Sequence, residues 1–274
     1  MKAGTARILS ELRRVFSTTP ASPNTALFSA LRLLAKWRAE ELKAPAIAAT
    51  GGMVAGGPFA GMRFEDGATE GCFLPKLLGC YEAELHAYWT GLRRDRHYRT
   101  IVDIGAAEGY YVVGLARMFP EARLIARDTN PEIQPFLDRL ATANGVRDRI
   151  EIGGEFGHAD FAAYADQPTL LVCDIEGGER ELLDPAKAPA LGRFDIVVEV
   201  HEGKGTDYCD ELARRFVATH DVTKVPELPR TVIFPHRYQP RDQLDRMISM
   251  WEFRSTPTPW LVMRARDFPP RLAG

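Results

Sequence analysis

The chain lacks most of the features that assign a class at a glance. It has no uninterrupted run of about 20 apolar residues, so no membrane span is expected. Its four cysteines, Cys72, Cys80, Cys173 and Cys209, form no Cys-x-x-Cys pair and no zinc spacing. That usage argues against a disulfide framework and suits a reducing cytoplasm. An excess of one charge is missing too. With 35 Lys and Arg against 37 Asp and Glu, the formal net charge is −2, which gives no overall drive toward nucleic acid or acidic membranes. The basic cluster Arg93-Arg-Asp-Arg-His-Tyr-Arg99 reads as a solvated linker face. Gly51-Gly52 and Gly56-Gly57 are followed by no Gly-Lys-Ser/Thr, which excludes a Walker loop. There is no internal repeat. The first residues lead into a charged helix rather than the apolar core of a signal peptide. The expectation is a cytoplasmic protein acting on a small molecule, without a membrane or nucleic-acid partner.

What is present is ordinary apolar content, 45% of 274 residues, arranged in alternating strand and helix patterns. Residues 5–16 carry Ile8, Leu12, Val15 and Phe16 at helical spacing. A second helix is predicted from Asn24 or Thr25 to about Leu42, with Leu27, Leu31, Leu34 and Trp37 on one face. Residues 47–79 are glycine-rich and read as a small hairpin or flexible cover, and 80–90 as a helix. From Thr100 onward, strands are predicted at 100–104, 123–127, 149–153, 170–174, 194–200, 221–225 and 260–265. Helices at 110–119, 131–143, near 159–165, near 206–219 and around 244–251 separate them. Alternation of this kind implies an α/β fold with a doubly wound, mostly parallel sheet. The expected division is residues 1–95 as an N-terminal helical extension with its cover segment, and 96–274 as a Rossmann-like domain. The N-terminal helices are a surface on which a homodimer could form.

The most informative stretch is Thr100-Ile-Val-Asp-Ile-Gly-Ala-Ala-Glu-Gly-Tyr-Tyr111. A β-branched run turns at Gly105 and enters a helix after Gly109, which brings bare backbone and a helix N-terminus close to a ligand. Asp128 ends the next strand, 19 residues past Gly109. A carboxylate about 20 residues beyond such glycines accepts hydrogen bonds from ribose hydroxyls. A cap for the following helix is the plainer role for Asp128, and both can hold. Pyrophosphate sites need Gly-x-Gly-x-x-Gly. Here Ala107 holds the place of the second glycine, and Glu108 adds a negative charge where phosphates would sit. The expected ligand is a nucleoside without phosphates that carries a cationic group. The pattern of hydrophobic residue, Asp103, hydrophobic residue, Gly105, three residues, Gly109 resembles the first motif of class I S-adenosylmethionine-dependent methyltransferases. The resemblance implies S-adenosyl-L-methionine as cofactor, held by Asp103, Gly105, Ala106, Ala107, Gly109, Asp128, Thr129 and Asp174.

Two further strand ends carry polar clusters: Asp174-Ile-Glu-Gly-Gly-Glu179 and Glu199-Val-His-Glu202. Strand alternation puts Glu199 and His201 on one side. Acids and a histidine at the carboxyl edge of an apolar sheet are costly unless paired or functional. The structural alternatives are a capping role for Asp174, a salt bridge for Glu179 and a hydrogen-bonded histidine at 201. With Gly79-Cys-Tyr-Glu82, these segments are similar to FkbM-type methyltransferases over about residues 75–205. Ala107-Glu108 and Asp128-Thr-Asn-Pro131 depart from the loops usual in that family, though Asp128 keeps the ribose carboxylate. The likeness implies methylation of a hydroxyl on a sugar or natural-product scaffold.

A hydroxyl nucleophile must lose its proton, and His201 is the base best suited to neutral pH. Glu199 is expected to hold its tautomer or bind a substrate hydroxyl, and Asp174 and Glu176 to orient the substrate. Asp174, Glu176, Glu199 and His201 would also suit Mg²⁺ or Mn²⁺. Spacing alone does not establish a metal, and none is assigned. The alternative functions are a nicotinamide-dependent oxidoreductase, disfavoured by Ala107 and Glu108, and a non-catalytic scaffold with the same fold.

Overall fold

The computed structural model describes residues 3–17, 22–64, 72–201, 207–256 and 258–269. Seven strands form one sheet: β1 (Thr100–Ile104), β2 (Arg123–Arg127), β3 (Ile150–Gly153), β4 (Thr169–Cys173), β5 (Asp195–Glu199), β6 (His220–Val225) and β7 (Trp260–Ala265). Their order is β3-β2-β1-β4-β5-β7-β6. The first five pair in parallel, and β7 runs antiparallel to both β5 and β6. This is the 3-2-1-4-5-6 order of dinucleotide-binding sheets with one reversed strand inserted before the edge.

The central strands are buried along their whole length because both faces are covered. Side chains alternate between the two layers. Ile101, Leu124, Ala126, Leu170, Val172 and Val197 enter one apolar cluster, while Val102, Ile125, Leu171, Ile196 and Val198 enter the other. The first layer is filled by α2 (Pro23–Thr50), α3 (Phe73–Leu78), α4 (His86–Asp95), α5 (Tyr110–Met118), α6 (Gln134–Ala143) and α9 (Gln243–Ser249). The second is filled by short 3₁₀ turns, by α7 (Glu179–Leu182) and by α8 (Tyr208–Phe216). Helix α1 (Ala3–Ser17) packs on α2.

Three sequence expectations change. Helix α2 does not stop near Leu42 but continues through Pro45 to a left-handed cap at Gly51. An interior proline removes one hydrogen bond and costs about 3 kcal/mol. Burial of Ala46 beyond the expected stop, with Ile47 and Ala49 packed against the core, offsets it. Second, the described parts of the glycine-rich segment, 47–64 and 72–79, form no flexible cover. Between its turns Val54, Phe59, Met62, Phe64, Phe73, Leu74, Leu77 and Leu78 are all core residues. Among the described residues the expected hairpin is reduced to a single bridge, Met53 to Arg63. Third, Leu27, Leu31 and Leu34 share a face as expected, but that face is exposed. Helix α2 packs inward through its alanines instead.

Asp195, at the start of β5, joins three elements. It accepts hydrogen bonds from the Tyr98 hydroxyl at 2.7 Å and the Ala265 N–H at 2.8 Å, and it pairs with Arg96 at 2.9 Å. Asp195→Ala would leave the Tyr98 hydroxyl and the Ala265 N–H without an acceptor in a buried setting, and Arg96 with only the Ala265 carbonyl. The expected cost is about 3 kcal/mol, a fall of roughly 6–12 °C in thermal midpoint. A calorimetric midpoint within a degree of wild type would refute the assignment.

Candidate active site

The carboxyl ends of β1, β2 and β4 open onto a cavity of about 710 Å³. Its lining includes Asp103, Gly105, Ala106, Ala107, Asp128, Thr129 and Asp174, seven of the eight residues expected to bind the cofactor. Gly109 is not in the lining. It starts α5 at φ 96°, a region open to glycine, and a β-carbon there would meet Leu137 at 2.9 Å. Gly105, at φ 85°, has a harder constraint: a β-carbon would stand 1.7 Å from the carbonyl oxygen of Asp174. The loop after β1 can therefore lie against the end of β4 only if position 105 is glycine.

Asp103 is buried on the cavity floor, and one carboxylate oxygen, Oδ2, has no hydrogen-bond partner. Burial, then the nearby charges of Asp174 and Asp128, push its carboxyl up to about 8. Asp128 does not cap the following helix, which starts at Gln134 after Ile133; it ties two loops together, its Oδ2 accepting the Ala107 N–H at 3.0 Å and its Oδ1 the Asn130 N–H at 2.8 Å. A carboxylate has about four acceptor positions, so this leaves capacity for hydroxyl donors from the cavity side. The apolar walls are Ile104, Phe156, Ile175 and Leu182.

Glu108 is buried and its charge is met by an ion pair with Lys76, whose ammonium also lies over the rings of Tyr81 and Tyr110. The sequence reading that Glu108 adds a negative charge where phosphates would sit is thereby corrected. The repulsion belongs to the lining as a whole, which carries seven acidic residues and two basic ones. Both basic side chains are already paired, Lys76 with Glu108 and Arg127 with Glu151.

Beside the cavity, His201 stands among four carboxylates. Its Nδ1 lies 2.9 Å from Glu179 Oε1, and its Nε2 lies 3.3 Å from Glu176, 3.7 Å from Glu199 and 3.8 Å from Asp174. Glu179 is fully buried and also accepts the N–H groups of Ile175 (3.1 Å) and Gly177 (3.2 Å). Burial opposes ionisation of Glu179, but the bonds from His201 and the backbone outweigh it and lower its pKa. Burial likewise opposes protonation of His201, and the bond to Glu179 with the charges of Asp174, Glu179 and Glu176 outweighs it, so this pKa is raised. The imidazole N–H is therefore held by Glu179, not by Glu199 as its place on the strand suggested. Glu202 lies outside the described residues.

Glu199 is committed elsewhere. Its Oε1 accepts the Thr258 hydroxyl at 2.6 Å and an ion-paired hydrogen bond from Arg254. Arg254 also reaches Glu82 at 2.6 Å and Glu252 at 3.1 Å, and Glu252 pairs with Arg230. Burial and then the charge of Glu82 push the Glu252 carboxyl up to about 8. Lys76, Arg254 and Glu252 were invisible as site-linked residues because they lie far from the motifs in sequence. Glu179 was visible in its motif, but its partner was not.

No protein-family profile and no curated protein matches the sequence. Solved structures similar in shape include the O-methyltransferase TomG from Streptomyces achromogenes, involved in tomaymycin synthesis and solved with SAM. It is 16% identical over 65% of this chain and 78% of that one, with a TM-score of 0.42. A precorrin-6y C5,15-methyltransferase from Geobacter metallireducens is 13% identical over 65% and 86%, TM-score 0.42. A methyltransferase from Geobacter sulfurreducens is 16% identical over 65% and 76%, TM-score 0.42. Superpositions this loose transfer no ligand and no residue role to this chain.

The raised pKa of Asp103 has a consequence for stability. Its folded value lies above the unfolded one of about 4, so its contribution is present below that value and is lost as pH rises through about 8. Asp103→Asn is expected to raise the thermal midpoint of the unliganded protein by a few degrees at pH 8.5. The gain should shrink toward pH 4. A variant less stable than wild type at pH 8.5 would contradict this account.

Proposed function

We propose that the chain is an S-adenosyl-L-methionine-dependent methyltransferase acting on a hydroxyl of a small molecule, of the sugar or natural-product scaffold class. The observation that carries the reading is the cavity itself. Its floor is a glycine turn pressed against β4, one rim holds Asp128, and its lining is strongly acidic. That combination favours a nucleoside bearing positive charge and opposes the two negative charges of a dinucleotide pyrophosphate.

The residues fit such a ligand. Asp128 has acceptor capacity for ribose hydroxyls, Phe156 and Ile175 offer apolar walls for a base, and the carboxyl group of Asp103 has an oxygen without a partner on the floor. When bound, the cofactor would supply a methyl group activated for displacement by its neutral thioether leaving group. The protein's part is positional: holding the nucleophile in line supplies much of the rate. The carboxylates of Asp174 and Glu176 orient the substrate, and the cluster around His201 manages the hydroxyl proton. Glu179, held by backbone N–H groups, fixes the ring. The preorganised cluster needs little rearrangement during the reaction.

Titration calorimetry with S-adenosylhomocysteine should give saturable one-to-one binding, while NAD gives none. The reverse result overturns the proposal. Asp128→Ala should weaken the former by roughly tenfold to a hundredfold, since a hydrogen bond to a charged partner contributes about 1.5–3 kcal/mol. Thermal midpoints measured in parallel separate this from loss of the tie between the loops. Unchanged affinity would remove Asp128 from the ribose site.

A further inference from the structure

We propose that Asp174, Glu179 and His201 form the seat of one divalent cation of the Mn²⁺ or Mg²⁺ class at the edge of the cavity. Each residue offers a ligand atom, and the three atoms lie within 4.8 Å of one another. A cation with bonds of about 2.1 Å holds neighbouring ligands about 3 Å apart and opposed ones about 4.2 Å apart. The 2.9 Å between His201 Nδ1 and Glu179 Oε1 already brings these two side chains to the spacing of neighbouring ligands. The rest of the set needs to contract by about half an ångström.

A second observation is independent of that spacing. Glu179 is fully buried, and while its Oε1 is fully used, its Oε2 is buried without a hydrogen-bond partner. A buried carboxylate oxygen left unmatched costs free energy that coordination would recover. The surroundings of the imidazole point the same way. A metal-bound histidine donates its other ring N–H to a carboxylate or carbonyl. His201 has carboxylates on both sides, so Nδ1 can join Glu179 on the cation while Nε2 keeps Glu176 at 3.3 Å as the acceptor of its N–H. The charges also match. Glu199 pairs with Arg254 and is drawn away from the site, and the two carboxylates of the proposed set with a neutral imidazole carry the charge that a divalent cation complements. Two carboxylates and one imidazole suit Mn²⁺ somewhat better than Mg²⁺, which prefers an all-oxygen shell.

The catalytic role of this cation rests on the methyl-transfer reading; its binding does not. A hydroxyl oxygen coordinated there loses its proton more readily, because the cation stabilises the alkoxide. The oxygen–hydrogen bond breaks, the proton passes to the exposed Glu176 carboxylate or to solvent, and the oxygen keeps the electron pair that attacks the methyl carbon. His201 then acts as a ligand, and the cation takes over the work expected of a free base.

The test uses full-length protein treated with chelator and titrated with Mn²⁺. Electron paramagnetic resonance should report one site per chain, with pulsed spectra showing coupling to an imidazole nitrogen. His201→Gln should abolish that coupling and Asp174→Asn weaken binding roughly a hundredfold, with thermal midpoints confirming that both variants fold. Absence of a stoichiometric site, or binding unchanged in both variants, overturns the proposal. If either variant fails to fold, the nitrogen coupling in wild type decides: its absence in the Mn²⁺-loaded protein also overturns the proposal. Calorimetry with S-adenosylhomocysteine on metal-free protein keeps the two readings apart. Cofactor binding without a Mn²⁺ site sinks the cation alone, and a Mn²⁺ site without cofactor binding sinks the cofactor alone.

Discussion

The whole site depends on one close approach, that of Gly105 to the carbonyl of Asp174. Strands β1 and β4 are hydrogen-bonded neighbours through Ile104 and Cys173, so the chain leaves the sheet at both ends side by side. The first loop must then cross the end of β4 at a distance that forbids a β-carbon. That contact places the helix start at Gly109, the floor carboxylate of Asp103 and the Asp174–Glu179 turn around a single cavity. Any side chain at position 105 would push the loop off the sheet, and the cavity would lose its shape before any polar contact was altered.

Around this contact the backbone is strained where the chemistry is. Among the described residues, the non-glycine positions with positive φ are Glu82, Ala107, Glu176 and Phe253. Ala107 and Glu176 line the cavity, and Glu82 and Phe253 flank the ion-pair network that fixes Glu199. Such conformations cost of order 1–3 kcal/mol each and persist only when the surroundings compel them. For Ala107 the compulsion is the bond from its N–H to Asp128. Glu179 does the same for the second turn, accepting the N–H groups on either side of Glu176. Asp128 and Glu179 are thus structural ties and site residues together, and the structural and functional readings of such a carboxylate are not exclusive.

How much of this was legible in the sequence follows from the range of the forces involved. Apolar period and glycine placement are local, and they located β1, β2 and β7 to the residue and the cavity loops with them. The glycine-rich segment was misread because turn-forming residues advertise flexibility, whereas Phe59, Phe64 and Phe73 between them are buried by contacts with distant helices. Helix α2 was ended too early, near Leu42, because the cost of Pro45 is local while the burial that offsets it is tertiary. Glu108 looked like an uncompensated charge because Lys76 lies 32 residues away. Glu199 was placed on the right side of its strand, but Arg254, 55 residues on, claimed it. Charge pairing over such separations leaves no periodic trace.

The network behind Glu199 then explains why the acids at the front of the site need not be discharged. Arg254 and Arg230 are shared among Glu82, Glu84, Glu199, Glu227 and Glu252, which leaves an excess of carboxylate in a partly buried cluster. Glu252, pushed up to about 8, absorbs part of that excess by holding a proton at neutral pH. No guanidinium of the cluster is therefore left over to neutralise Asp174 or Glu176. A surplus guanidinium there would cancel the acidity on which the proposed cation seat depends. By spending both arginines on the buried network, the fold keeps the negative potential where a positively charged ligand would feel it.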